Sequence, residues 1–270
     1  MEPGKKVKCV KETILEELRR IEQEEQVRVL YACEAGSRAY GLASEESDYD
    51  VRFLYVHPVE WYLSIWDKRD VIERRISDTL DISGWDLRKA LSLFRKSNPP
   101  LLEWLQSPIP YYEAYSAAER VRQLSPLTFA PQSCTYHYLH MAERNYRDFL
   151  STGEQIRTKK YFYVLRPIFS CMWIETRNEM PPLDFDRLVD ELVPAHSELR
   201  AAIKRLVERK KAGDEFDTEP RVNVLNQFLE EQIAHFKQSA AQLPSAPPGQ
   251  EARLDELFRE TLREVWGRPV

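Results

Sequence analysis

The chain has 270 residues and a formal net charge of −5, from 39 Lys and Arg against 44 Asp and Glu. This balance excludes the global basic field that dominates non-specific nucleic-acid binding, so any RNA contact must be local. The four cysteines show no paired spacing, the first residues do not resemble a signal peptide, and no apolar run approaches the roughly 20 residues that span a bilayer. We therefore expect a cytoplasmic protein without membrane contact, long enough for two modest domains.

A glycine-serine turn follows the first predicted strand. Residues 11–25 repeat apolar side chains at three- and four-residue intervals, which predicts an amphipathic helix, and residues 27–33 have the composition of a strand. Gly36 and Ser37 come next, where backbone N–H groups and the Ser37 hydroxyl could hold phosphate oxygens and Arg38 could add positive charge. The spacing matches neither a Walker A loop nor a dinucleotide-binding fingerprint.

Two aspartates begin the next predicted strand, residues 48–56. Asp48 and Asp50 share a strand face, with Cα atoms about 6 to 7 Å apart. Two carboxylates at that range repel by roughly 2 to 3 kcal/mol at an effective dielectric constant near 20, and a cation between them would offset this cost. Mg²⁺ is commonly held by one or two carboxylates together with substrate phosphates. Arg52, on the same face, could bind phosphate or act as a counter-charge that favours ionised Asp50.

A third acidic residue would complete a metal site. Asp81 lies between two aliphatic residues in the strand-like residues 79–83, and it would face the same cleft if this strand lies beside residues 48–56. There it could bind the metal or accept the proton of an attacking hydroxyl. Asp86 is the alternative, although its position before a predicted helix suits a role at the helix N-terminus. We favour Asp81 on its strand position.

The spacing of these residues resembles the DNA polymerase β-type nucleotidyltransferase superfamily and, more narrowly, the RlaP or YcgL-like family of predicted nucleotidyltransferases. The motifs that carry the resemblance are Gly36-Ser37-Arg38-Ala39-Tyr40-Gly41, Ser47-Asp48-Tyr49-Asp50-Val51-Arg52, Ser83-Gly84-Trp85-Asp86-Leu87-Arg88-Lys89-Ala90, and Asn98-Pro99 with Glu103-Trp104-Leu105. The resemblance implies an α+β fold, with a small mixed β-sheet nucleotidyltransferase domain followed by a mainly α-helical domain. Gly36 and Ser37 would bind a nucleoside triphosphate. Asp48, Asp50 and Asp81 would bind Mg²⁺ and carry the catalysis, and the role proposed for the family is RNA repair.

Proline-rich segments divide the chain. The sequence Ser107-Pro108-Ile109-Pro110 predicts a boundary between a nucleotidyltransferase domain, residues 1–107, and a helical domain, residues 108–270. Helical segments of the second domain are predicted at residues 111–125, 135–151, 157–178, 184–212 and 219–241, with Pro167 and Pro194 expected to kink or split two of them. A linker near residues 244–249 precedes a last amphipathic helix, which we expect to dock on the body.

A basic and aromatic stripe is predicted on the helix that begins near residue 158. Lys159, Tyr163 and Arg166 fall at positions i, i+4 and i+7, and Lys160 lies beside them. If the stripe faces the cleft, these side chains could bind the triphosphate or stack on a base. The alternative is a solvated helix face.

Three further residues have the spacing of a possible metal site. Cys134, His137 and His140 are three apart, but on a helix they would climb about 9 Å along the axis. That is too far for all three to reach one ion, so we expect ordinary surface or core residues here.

These patterns predict a nucleotidyltransferase that uses Mg²⁺ or Mn²⁺ and a nucleoside triphosphate, with an RNA end as the favoured hydroxyl acceptor. Two alternatives remain at this point. One is nucleotidylation of a toxin or another protein partner, and the other is a catalytically silent domain that binds nucleotide or RNA as a sensor. The sequence carries no feature that specifies the preferred nucleotide or an oligomeric state.

Overall fold

The computed structural model describes residues 9–153, 155–213, 218–246 and 249–267. The first part of the chain runs through α1 (Val10–Glu25), β1 (Arg28–Glu34), α2 (Gly36–Ala39), β2 (Tyr49–Val56), α3 (Val59–Tyr62), β3 (Val71–Ser77), β4 (Leu80–Asp86), α4 (Leu87–Phe94), α5 (Pro99–Leu105) and β5 (Pro110–Glu113). The remainder contains α6 (Ala117–Thr128), α7 (Pro131–Asn145), a π-helical turn (Tyr146–Leu150), β6 (Gln155–Arg157), α8 (Thr158–Arg177), α9 (Phe185–Leu192), α10 (Glu198–Lys211), β7 (Thr218–Pro220), α11 (Asn223–Ser239), a 3₁₀ turn (Ala240–Gln242) and α12 (Glu251–Trp266).

A mixed sheet has the strand order β3-β4-β2-β1-β5. β2 and β4 are parallel, and the other neighbouring strands are antiparallel. The parallel pair places the first residues of β2 and β4 side by side, at one end of the sheet. The predicted α+β fold, a small mixed sheet followed mainly by helices, is confirmed. The division at residues 107 and 108 stays a prediction, and β5, just beyond it, pairs with β1.

Both faces of the sheet are covered by helices. On one face, α1 packs its apolar stripe, which includes Ile14, against Val51 and Ile82. These three side chains are fully buried, and burial of each contributes about 1.5 to 3 kcal/mol. The opposite face joins a continuous core with the helical part of the chain, in which Leu54 of β2 and Leu165 of α8 take part. The sheet face that carries Leu54 is therefore the one that can form a cleft with the helices.

The helical part differs from its prediction mainly at the ends of segments. Residues 110–113 form a strand at the edge of the sheet, and β6 pairs with β7 in a separate two-stranded sheet. Strands of three or four residues are too short to show a period-2 pattern, and each of these strands adjoins a longer segment with helical periodicity. Pro167 lies within a continuous α8, whereas Pro194 lies in the break between α9 and α10.

The last helix, α12, docks on the body. Phe258 of α12 packs against the ring of Tyr62 with 5.0 Å between ring centres, and Trp266 Nε1 donates to the carbonyl oxygen of His57 at 2.9 Å. Residues 247–248 of the predicted linker lie outside the described residues. None of the described helices combines the length and the apolar character needed to cross a membrane.

Two buried titratable groups near α12 act in opposite senses on the pH dependence of stability. Burial raises the pKa of Asp86 to about 6, although Tyr62 Oη and the N–H of Arg88 both donate to its carboxylate. Its stabilising contribution is therefore present below pH 3.8 and is lost as the pH rises to about 6. Burial lowers the pKa of His57 to about 4, so its contribution is lost as the pH falls from 6.5 to about 4.

We expect single substitutions to separate these two contributions. Asp86→Asn keeps a capping side chain on α4, and this variant should lose stability more steeply than the parent between pH 6.5 and 4. His57→Phe keeps a ring stacked on Trp61, and this variant should lose more stability than the parent as the pH rises from about 4 to about 6. Urea unfolding across this range measures both slopes. The explanation fails if the two variants have the same slope.

Candidate active site

The structure brings Asp50 and Asp81 side by side. They are register partners across the parallel strands β2 and β4. Their strand neighbours Val51 and Ile82 are buried on the α1 side, so both aspartates point to the opposite face, towards the helices. Asp48 lies just before β2, is exposed, and lines the same cleft as Asp50. The three carboxylates predicted from the sequence thus lie at one end of the sheet, with Asp48 and Asp50 in the cleft wall and Asp81 beside Asp50 but not among the lining residues.

Arg52 joins the two strand carboxylates. Its Nη1 donates to Asp81 Oδ2 at 2.8 Å, and its Nη2 donates to Asp50 Oδ1 at 3.1 Å. The three side chains are 21 to 48% exposed, and ion pairs that reach solvent contribute at most about 1 kcal/mol each. Their effect is therefore mainly positional, because one planar guanidinium fixes the orientation of two carboxylates. Of the two roles considered for Arg52, this geometry is that of the internal counter-charge.

Asp86, the alternative third carboxylate, lies at the other end of β4. Its side chain caps α4 by accepting the N–H of Arg88 at 2.8 Å, and it also accepts the Tyr62 hydroxyl at 2.6 Å. Asp86 is fully buried, and its register partner on β2 is Tyr55 rather than Asp50. It is therefore separated from Asp81 by most of the length of the strand.

The glycine-serine turn is in direct contact with Asp50. Gly36 has a φ of +59°, and a Cβ atom at this position would lie 2.3 Å from Asp50 Oδ2. A side chain here would combine an unfavourable backbone conformation with a clash, so glycine is required for this contact. Ser37, the next residue, lines the cleft beside Asp48 and Asp50.

Arg38 contacts the loop that carries Asp48. Its Nη2 donates to the carbonyl oxygen of Ser47 at 2.6 Å and its Nε donates to that of Asp48 at 3.1 Å. The guanidinium also lies 3.8 Å from the centre of the Tyr49 ring. Arg38 thus fixes the approach of the chain to β2, and it lines a different groove from the one that contains the carboxylates.

Glu34 also belongs to the site, although it was not predicted from the sequence. It is fully buried at the end of β1, accepts the N–H of Asp50 at 2.7 Å, and accepts the Tyr111 hydroxyl at 2.5 Å. Burial raises the pKa of Glu34, while the two hydrogen bonds counteract this effect. The available signal was an acidic residue at the end of an apolar strand, two positions before Gly36.

Removal of the Glu34 carboxylate should loosen Asp50. We expect Glu34→Ala to lower the free energy of unfolding by about 1 to 3 kcal/mol, because the part-buried N–H of Asp50 loses its acceptor. Glu34→Gln keeps an acceptor oxygen and should lose less. Chemical denaturation measures both values, with Glu113→Ala at the end of β5 as a control for removal of a less buried glutamate. Parental stability in Glu34→Ala would contradict this role.

The cleft lies between the sheet end and helices α5, α7 and α8. Its volume is about 340 Å³, within the range of about 300 to 1,000 Å³ that is usual for small-molecule sites. Of the predicted stripe, Lys159, Tyr163 and Arg166 line the cleft. Lys160 does not line it, and its Nζ lies 3.7 Å from the centre of the Phe149 ring. The remaining lining residues are Tyr40, Leu42, Ser47, Pro100, Glu103, His137, Tyr138, Met141, Asn145, Phe162, Pro167 and Lys210.

A buried ion pair forms part of the cleft wall. Glu103 accepts hydrogen bonds from Arg166 Nη1 at 3.0 Å, Tyr40 Oη at 2.9 Å and Tyr138 Oη at 2.6 Å. The Arg166 side chain is only 7% exposed and its guanidinium lies 3.6 Å from the centre of the Tyr40 ring. Three helices, α5, α7 and α8, meet in this network with Tyr40, the residue that follows α2. Arg166 is therefore part of the internal structure of the cleft and not of a solvated helix face.

The residues at positions 134, 137 and 140 have separate environments. Cys134 is buried and donates to the carbonyl oxygen of Ser97, and His140 is exposed. His137 lines the cleft, and burial lowers its pKa. We expected ordinary surface or core residues at these positions, and their spacing did not indicate that His137 forms part of the cleft wall.

The carboxylates fit a magnesium ion that is bound partly by the protein and partly by the phosphates of a nucleotide. Within the described ranges, no group of three or more His, Cys, Asp and Glu side chains is arranged to hold a metal ion by itself. Mg²⁺ needs fewer protein ligands than that, because one or two carboxylates commonly hold it together with substrate phosphates. Asp48 and Asp50 face the cleft with oxygen donors of this kind, and Asp81 lies beside Asp50.

The sequence comparisons group the chain with nucleotidyltransferases of the DNA polymerase β type. The chain belongs to the RlaP family, described as the RNA repair pathway DNA polymerase beta family, whose profile matches residues 10–260. It is 51% identical over 257 residues to the protein YcgL of Bacillus subtilis (strain 168), an alignment that covers 95% of this chain and 98% of that protein. It also has a weak structural likeness to a nucleotidyltransferase-like protein from Exiguobacterium sibiricum 255-15, with a TM-score of 0.31 and 12% identity, covering 93% of this chain and 80% of that chain.

Proposed function

We propose that the protein transfers a nucleoside monophosphate from a nucleoside triphosphate to a hydroxyl group at an RNA end, with Mg²⁺ or Mn²⁺, and releases pyrophosphate. The observation that carries this proposal is the register pairing of Asp50 with Asp81, beside a glycine turn that leaves room for the Asp50 carboxylate. The family description supports an RNA acceptor.

In this proposal the phosphates of the substrate bind in one part of the cleft, and the base and sugar bind in another. Gly36 and Ser37 hold the phosphates next to the carboxylates, and Lys159 adds positive charge from the opposite wall. The base and sugar lie against apolar side chains such as Met141 and Phe162, because a nucleobase gains from removal of its ring faces from water.

Asp48, Asp50 and Asp81 are the proposed metal ligands. When bound, Mg²⁺ would neutralise charge on the phosphates and on the leaving pyrophosphate. The acceptor oxygen forms a bond to the α-phosphorus, the bond from that phosphorus to the pyrophosphate oxygen breaks, and Asp81 takes the hydroxyl proton. Arg52 holds Asp81 beside Asp50, so that proton acceptance occurs next to the α-phosphate.

Incubation with labelled nucleotides tests this function. The purified protein is mixed with each α-labelled nucleoside triphosphate, Mg²⁺ or Mn²⁺, and a mixed set of RNAs and proteins, and Asp48→Ala/Asp50→Ala is the control. We expect label on RNA with the parent only. Label on protein would indicate protein nucleotidylation, and nucleotide binding without transfer would indicate a sensor. Equal transfer by the parent and the double variant would contradict the role of these carboxylates.

A further inference from the structure

A cluster of two aromatic rings and a lysine lies at the mouth of the cleft. Phe149 comes from the π-helical turn after α7, and Lys160 and Tyr163 come from the first turns of α8. The two rings meet edge to face at 6.5 Å between centres, and Lys160 Nζ lies 3.7 Å from the Phe149 ring centre and 4.7 Å from that of Tyr163. We name these three residues the mouth platform.

Tyr163 connects the platform to the active site. Tyr163 lines the cleft, yet the residue is 43% exposed, although it belongs to the largely buried helix α8. One part of Tyr163 therefore faces the nucleotide site, while the exposed part is available to a larger molecule that approaches from solvent.

The surroundings of the platform are basic, in contrast to the chain as a whole. Arg157 and Lys159 lie beside Lys160, and partial burial together with these two positive charges lowers the pKa of Lys160. The adjacent carboxylate of Asp148 is engaged by Arg147 Nε at 3.0 Å. The net charge of the full chain is −5, so this is a local positive surface of the kind that an RNA contact requires here.

The structure also divides the predicted stripe into two parts with different functions. Arg166 is buried and its charge is balanced by Glu103, so it acts inside the cleft. Lys160 is outside the cleft and contacts the rings of the platform. A nucleoside triphosphate that occupies the cleft would leave Phe149 and Lys160 uncovered, because neither residue lines the cleft.

We propose that the mouth platform binds the terminal nucleotides of a single-stranded RNA acceptor, an inference that rests on the proposed function. Stacking on Tyr163 requires an unpaired base, while Lys160 and Arg157 suit the phosphates that flank it. This arrangement directs the terminal hydroxyl from the platform into the cleft that contains Asp50. Protein acceptors offer no regular alternation of flat rings and phosphates, so the platform favours RNA.

Fluorescence anisotropy with a labelled 12-nucleotide single-stranded RNA tests the platform. We expect Tyr163→Leu to weaken binding about 10-fold and Tyr163→Phe, which keeps the ring, to bind like the parent. Lys160→Met should weaken binding and reduce the slope of log affinity against log salt by about 1. Tyr112→Leu, at an exposed tyrosine on the edge strand β5, is the matched control and should bind like the parent.

A second measurement on the same variants separates this inference from the proposed function. Affinity for nucleoside triphosphate, measured without RNA, should be unchanged in Lys160→Met if the platform serves the acceptor, because Lys160 does not line the cleft. Platform-dependent RNA binding without transfer would support the platform and reject the enzyme. The platform is rejected if Tyr163→Leu and the parent bind RNA equally, if Lys160→Met loses nucleotide affinity and keeps RNA affinity, or if label goes to protein at the same rate in the parent and in Tyr163→Leu. Thermal unfolding confirms that each variant is folded.

Discussion

Replacement of Asp81 by Asn is expected to reduce nucleotidyl transfer by about 10³-fold, whereas Asp86→Asn on the same strand should keep a rate near that of the parent. The expected loss corresponds to about 4 kcal/mol, as for the removal of a group that holds the metal and accepts the proton. Asp81 is the register partner of Asp50, and Asp86 is a buried helix cap at the other end of β4. Initial rates of label transfer to RNA, at saturating nucleotide, measure both effects.

The pair of variants tests whether Asp81 or Asp86 is the third carboxylate of the site, which the sequence left open. Asn is close in size to Asp, so Asp81→Asn changes charge and proton acceptance with little change in packing. If Asp86→Asn lost transfer and Asp81→Asn did not, the active site would have to be reassigned to the other end of the sheet. If both variants retained transfer, a third carboxylate would not be required.

Gly36→Ala is expected to lower transfer by about 10²-fold, because the new methyl group displaces the Asp50 carboxylate and a misplacement of about 1 Å has effects of this size. The left-handed backbone adds a cost of about 1 to 2 kcal/mol in stability. Gly267 provides a matched control, since its φ is +63° but no atom lies within 4 Å of where a Cβ would be.

The comparison of these two glycines separates the effect of backbone strain from the effect of the contact with Asp50. Gly267→Ala should show the backbone cost in its free energy of unfolding and leave transfer unchanged. Denaturation curves and transfer rates for both variants provide the test. If Gly36→Ala lost stability by the same amount as Gly267→Ala and kept the parental transfer rate, the contact between the turn and Asp50 would have no function.

The parts of the site that lie close in sequence were predictable. Asp50 and Arg52 are two apart on one strand, so the strand period predicts that they share a face. Gly36 lies two residues after the end of β1, so its position in the turn was predicted by the end of that strand. Asp81 required a further step, because only the pairing of β2 with β4 places it beside Asp50. The apolar residues on either side of Asp81 indicated that its side chain lies on the face of the sheet opposite to theirs.

The parts that depend on packing between distant segments could not be predicted in the same way. Glu103 and Arg166 are 63 residues apart, and each has an ordinary helical setting in the sequence. Their burial together with Tyr40 and Tyr138 depends on how α8 and α7 pack on the sheet, which periodicity does not specify. The platform has the same origin, since Phe149 and Tyr163 come from two helical segments separated by β6.

Binding of Mn²⁺ in the presence of a non-hydrolysable nucleoside triphosphate tests the central claim most directly, with free Mn²⁺ measured by electron paramagnetic resonance. Parent protein with nucleotide should take up Mn²⁺, and Asp50→Asn/Asp81→Asn should bind it at least about 10-fold more weakly while remaining folded. Equal uptake of Mn²⁺ by the parent and the double variant would contradict a metal and nucleotide site at these two strands.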